Sequence, residues 1–267
     1  MIGTDASTRP TQSTATLAAL FFCSGASALV YQVLWLRTLG WVFGVTVYAA
    51  STVWACFMGG LALGSAAGGR LADRVRSPLR WFGAAEIVVG ATALATPFEF
   101  RLLQRLWIAA YPALSHSLAA LTAGRFLTAC LVLIVPTTVM GATLPLVIKS
   151  AEWQTGRFGA HLSVLYASNT AGAIVGTLAA GLALIPGIGI TRTFLAAAAL
   201  NLIVGVTAAA MGREQPSAAT NRAAFLAPPQ STTTPIAVYV VLCVFAVSGF
   251  VSMGLEVVWF RVLTLIL

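Results

Sequence analysis

SGASALVYQVLWLRTL, residues Ser24 to Leu39, returns near the other end of the chain as SGFVSMGLEVVWFRVL, residues Ser248 to Leu263. At a constant offset of 224 residues the two stretches share Ser24/Ser248, Gly25/Gly249, Val33/Val257, Trp35/Trp259, Arg37/Arg261 and Leu39/Leu263. Gln32 stands opposite Glu256, another polar head at the same depth. Matches among Leu, Val and Ala are common in apolar helices by composition alone. A gapless match that carries Trp and Arg in register is not. Each copy lies in an apolar run long enough for a spanning helix, which needs about 20 mostly apolar residues. The chain therefore reads as a helical membrane protein whose last helix begins a second copy of its first.

Composition points the same way. Hydrophobic residues make up 59% of the chain and charged residues 8%, and mean hydropathy is +0.92. Soluble domains carry roughly 25% charged residues, so this chain has too few charges to cover a water-facing surface. The 15 Lys and Arg against 7 Asp and Glu are scattered over short loops. No basic stripe with interleaved aromatics suggests nucleic acid.

Hydropathy predicts seven spans, at about 16–39, 45–68, 81–96, 118–139, 162–185, 193–211 and from 236 to the end. Pro97 ends the third, Pro136 lies near the end of the fourth, and Pro186-Gly187 stops the fifth. Residues 98–111 (FEFRLLQRLWIAAY) put Arg101 and Arg105 one turn apart, beside a face of Phe98, Leu102, Leu106 and Ala109. That pattern predicts an amphipathic helix lying on the outer surface. Residues 212–235 are rich in Pro, Ser, Thr and Ala and read as a linker. The organisation expected is a tail over 1–15, a six-helix domain over 16–211, the linker, and the first helix of a second repeat over 236–267. The two copies are the first and seventh helices, six spans apart, so both enter the membrane in the same direction, the arrangement of parallel transporter repeats. The repeat also implies a longer natural unit.

With the N-terminus in the cytoplasm, the inside segments hold Arg9, Arg70, Arg74, Arg76, Arg80, Lys149, Arg157, Arg213 and Arg222. The outside segments hold Arg101, Arg105 and Arg192. Nine against three fits the positive-inside rule, and an inner-membrane protein with a cytoplasmic N-terminus is expected.

Ionisable groups inside a membrane are costly and each needs a reason. Gln32, Arg37, Arg125, Glu256 and Arg261 fall in the outer halves of their helices. They predict a polar layer in which Glu256 offsets Arg37 or Arg125 across the interface between halves. For Arg37 and Arg261, near helix ends, snorkelling is the alternative. Glu86, near the cytoplasmic end of the third helix, is expected to meet the Arg-rich loop beside it. Gly60, Gly64 and Gly68 recur every four residues, as do Gly172, Gly176 and Ala180. Such ridges let helices approach closely, either within the bundle or between copies of the chain. Asn169 and Asn201 are suited to bonding across helices.

Phosphate loops, zinc-protease motifs and nucleophile elbows do not occur in the sequence. The four cysteines have no metal-ligand spacing, and His116 and His161 have no acidic partner at a recognisable spacing. Neither a catalytic residue nor a metal site is expected in this chain.

The loop GGRLADRVRSPLR, 68–80, resembles the loop between the second and third helices of the major facilitator superfamily. Gly69, Asp73, Arg74 and Arg76 match its positions, while the Gly expected after the Asp-Arg pair is replaced by Val75 and Arg76. A second resemblance spans nearly the whole chain. SGASALVYQVLWLRTLGWVFG, STVWACFMGGLALGSAAGGRLADR, PTTVMGATLPL and LYASNTAGAIVGTLAAGLALIPGIGITRT are similar to the membrane region of bacterial fused spermidine synthase-like proteins. The resemblance implies major-facilitator-like helices ahead of a soluble aminopropyltransferase domain, with decarboxylated S-adenosylmethionine as donor and the chemistry outside this chain. The partners it implies are the lipid bilayer and the remaining helices and soluble domain of a longer protein. The competing expectation is half of a solute transporter with no linked enzyme; a third is a purely structural anchor.

Overall fold

A computed structural model describes residues 14–43, 47–155, 158–212 and 235–266. Among them every regular element is a helix: α1 (Thr14–Phe43), α2 (Val47–Ala72), α3 (Pro78–Leu114), α4 (Leu118–Thr155), α5 (Phe158–Ala179), α6 (Ile185–Met211) and α7 (Pro235–Ile266). A single π-helical turn, Ala180–Leu184, joins α5 to α6. Six runs are long and apolar enough to cross a membrane, the pattern of a multi-pass membrane protein. Most of the tail and of the linker, with Arg9, Arg157, Arg213 and Arg222, lies outside the described residues.

One of the six runs, Leu162–Met211, is 50 residues long, about 75 Å if it were straight. The packing shows that it doubles back. Ser168 bonds to the carbonyl of Ala18, Gly172 lies against Phe22 and Gly176 against Ala26, so α5 runs parallel to α1. Gly83 meets Gly205 and Ala209, and Gly90 meets Ala198 and Leu202, so α6 runs antiparallel to α3. Tyr31 stacks on Phe194 while the more N-terminal Ser24 lies nearer Asn201, so α6 is antiparallel to α1 as well. The reversal falls at Gly189, with φ 80° and ψ 169°, a conformation essentially confined to glycine. The expected stop at Pro186-Gly187 is thus displaced by a few residues. Pro186 lies just past the π-helical turn, in the last helical residues before the reversal.

The same reasoning orders the other helices. Gly60, Gly64 and Gly68 of α2 meet Thr137, Thr138 and Ala142 of α4 in increasing order, so α2 and α4 are parallel. Gly124 lies against Leu114 and Trp107, so α4 descends along α3. Helices α1 to α6 therefore alternate up and down. A Cβ on Gly64 would overlap the Thr138 backbone, and one on Gly172 or Gly176 the backbone of α1. These glycine ridges pack the bundle internally.

Two expectations are corrected. The third helix does not end at Pro97, and residues 98–111 are not a separate surface helix; α3 continues to Leu114, about 55 Å in all. The reason is a second buried stripe, Phe100, Leu103 and Trp107, at helical spacing and packed toward α4. Arg101 and Arg105 remain exposed, with the Arg101 guanidinium 5.4 Å from the Phe98 ring centroid. Likewise α4 runs past Pro136 and Pro145 to Thr155. Near the first of these prolines, the Thr137 hydroxyl donates to the Leu133 carbonyl at 2.6 Å.

The core has two apolar levels. One holds Phe21, Phe82, Leu146, Leu165 and Val204. The other is built on Tyr31, Trp35, Phe57 and Phe194, with ring centroids 5.7 to 6.3 Å apart. Helix α7 stands apart from both. It touches α2, and none of its span Tyr239–Trp259 is buried.

Candidate functional site

Between the two apolar levels lies a polar one. Along α1 the order is Phe21, Ser24, Tyr31; along α3 it is Phe82, Glu86, Val89; along α6 it is Ala198, Asn201, Val204. In each helix the polar residue falls between the clusters, and the three meet. Ser24 Oγ donates to Glu86 Oε1 at 2.6 Å, and Asn201 Nδ2 donates to Glu86 Oε2 at 2.5 Å. Glu86 is 1% exposed and Asn201 2%. The site is about 12 Å along α3 from Pro78, and about 15 Å from Thr14 along α1 and from Met211 along α6. Those distances from the helix ends are comparable with half the thickness of a hydrocarbon core about 30 Å thick.

The helix pairings explain why these side chains converge. Gly25 brings α1 onto Asn169 of α5, and Gly83 with Gly205 brings α3 onto α6. With no Cβ at these crossings, short side chains such as Ser24 and Asn201 reach the carboxylate. Glu86 does not meet the Arg-rich loop, contrary to expectation: Arg80 instead donates from Nε to the Gly212 carbonyl at 2.7 Å. Among the described residues the carboxylate takes no ion pair, and the Asn201 Oδ1, also buried, has no hydrogen-bond partner.

Beside Glu86 opens a cavity of about 210 Å³ whose polar wall is Ser24, Ser65, Glu86, Thr143, Asn169 and Asn201. The rest is apolar, from Phe21, Leu29, Phe57, Leu61 and Met140 among others. Helices α1 to α6 all contribute, so the cavity is central to the bundle.

The other sequence-predicted residues are dispersed. Gln32 is buried on α1. Arg37 is exposed and lines a second, open cavity of about 500 Å³ together with Arg101 and the backbone around Gly189. Arg125 is half-buried on α4, with its Nε unpartnered among the described residues. Glu256 and Arg261 are exposed on α7, and no ion pair joins Glu256 to Arg37 or Arg125. In the α2–α3 loop, Asp73 pairs with Lys149 of α4 at 3.2 Å. Arg74 and Arg76 are exposed, and Gly69 has open space where a Cβ would stand.

The convergence on Glu86 was partly visible in the sequence. An acidic residue in an apolar helix, with Asn201 in another, marks two polar groups that need partners; which groups meet depends on helix pairing. Compared with family models, with curated proteins and with solved structures, the chain matches none.

Proposed function

We propose that this chain is the membrane module of a spermidine synthase-like protein, built as a major-facilitator-like half with the first helix of a parallel second repeat. The observation that carries the reading is the alternating six-helix bundle followed by a helix that repeats α1 at an offset of 224 residues. The central cavity at Glu86 supports a solute-handling role in addition to anchoring. In this reading the N-terminus is cytoplasmic in a bacterial inner membrane. The remaining helices of the second half cover α7, and aminopropyl transfer from decarboxylated S-adenosylmethionine belongs to a soluble domain outside this chain.

The test is made on the complete gene product. Membranes from cells producing it are assayed for transfer of an aminopropyl group to a labelled amine. Membrane-bound activity supports the reading. A gene product with no such domain, which moves a labelled solute across proteoliposomes, favours instead a solute transporter without linked chemistry. That second reading rests on the central cavity.

A further inference from the structure

We infer that the Glu86 cavity binds a small organic monocation, one ammonium group on an apolar body, with Glu86 and Asn201 as its polar contacts. The inference rests on the solute-handling reading of the bundle and deepens it. A carboxylate about 12 Å inside the bundle cannot be stably ionised without compensation. Here both carboxylate oxygens receive donors, from Ser24 and Asn201, an arrangement that suits the ionised acceptor-only form. Two neutral donors leave the charge itself without a counter-ion, and no Lys or Arg among the described residues pairs with it.

Asn201 narrows the choice of counter-ion. With Nδ2 donated to Glu86, its Oδ1 is buried and without a partner among the described residues. A proton on Glu86 would neutralise the charge but leave that oxygen unmet, at a cost of about 1–3 kcal/mol. An ammonium carries three N–H donors and satisfies the carboxylate and the amide oxygen together.

The walls set the rest of the ligand. Phe21, Leu29, Phe57, Leu61 and Met140 offer an apolar surface. A bare alkali ion would leave the apolar side of that wall unused. The 210 Å³ of space accommodates a short alkylammonium. Among the described residues, Glu86 is the only ionisable side chain on the cavity wall. A second ammonium on the same molecule would meet neutral oxygens or hydrocarbon, so a diamine is disfavoured relative to a monoamine of equal length.

The experiment uses the full chain in lipid nanodiscs and calorimetric titration with n-butylammonium, 1,4-diaminobutane, n-butanol and sodium chloride. Expected is saturable binding of n-butylammonium, at least about tenfold tighter than the diamine, the alcohol or sodium, equivalent to about 1.4 kcal/mol. Glu86→Gln abolishes it, and Asn201→Leu weakens it about tenfold or more. The ranking of the four probes on the unaltered chain decides the matter even if a variant fails to fold. No saturable n-butylammonium binding, diamine or sodium binding as tight, or undiminished binding by a folded Glu86→Gln chain overturns the proposal. Because binding is measured on this chain alone, its failure is separable from absence of aminopropyl transfer or solute movement in the complete gene product.

Discussion

Helices α1 and α7 carry the same motif in opposite surroundings. Trp35 is fully buried against Tyr31 and Phe57, whereas its counterpart Trp259 is 62% exposed. Gly25 is pressed against Asn169, whereas Gly249 has open space around it. Ser24 bonds to Glu86, whereas Ser248 faces outward. One sequence pattern thus serves as the centre of a bundle in one place and as an uncovered helix in the other. What differs is the neighbours: α5 and α6 flank α1, while α7 touches α2. The motif encodes a helix and a packing face, and its energetic worth exists only once a partner face arrives.

The sharpest way to break this comparison is to truncate the paired tryptophans. Trp35→Ala should destabilise the chain by about 3–5 kcal/mol, the cost of emptying a buried aromatic site. Trp259→Ala should stay within about 0.5 kcal/mol, as for exposed positions. Equilibrium unfolding in mixed micelles, titrated with a denaturing detergent, measures both; equal losses would mean that α7 is as well packed as α1.

A smaller contrast is expected at the paired serines. Ser24→Ala removes a donor from the buried Glu86 carboxylate and should cost about 1.5–3 kcal/mol, while Ser248→Ala should leave the same unfolding curve unmoved. The glycine pair gives the last and mildest test. Gly25→Ala forces α1 away from the α5 backbone and should cost about 1–3 kcal/mol. Gly249→Ala should be neutral or stabilising by up to about 1 kcal/mol through helix propensity. A destabilising Gly249→Ala would reveal a close helix contact on α7.

Several features were legible in the residues themselves. The membrane class follows from too few charges for a water-facing surface, and the helices from apolar runs of spanning length. The glycine ridges on α2 and α5 were visible as four-residue periods. Helix ends were less legible. Pro97 reads as a stop and Pro136 as lying near an end, yet packing of Phe100, Leu103 and Trp107, and of Leu146 and Val147, carries α3 and α4 onward, α4 past Pro145 as well. Proline removes one backbone bond, and burial along the continuing face outweighs that loss.

Composition and residue spacing are enough to make this chain a multi-helix membrane protein, to show that its seventh helix repeats its first, and to mark Glu86 as an acidic group in an apolar helix. Where that carboxylate goes is set by the packed bundle. It turned Glu86 away from the nearby arginines and toward Ser24 and Asn201, which lie 62 and 115 residues away along the chain. The physical reason is that hydropathy is a property of one helix, read residue by residue. The partner of a buried charge is set by which helices cross, in which direction and at which glycines, and those crossings depend on all six helices at once.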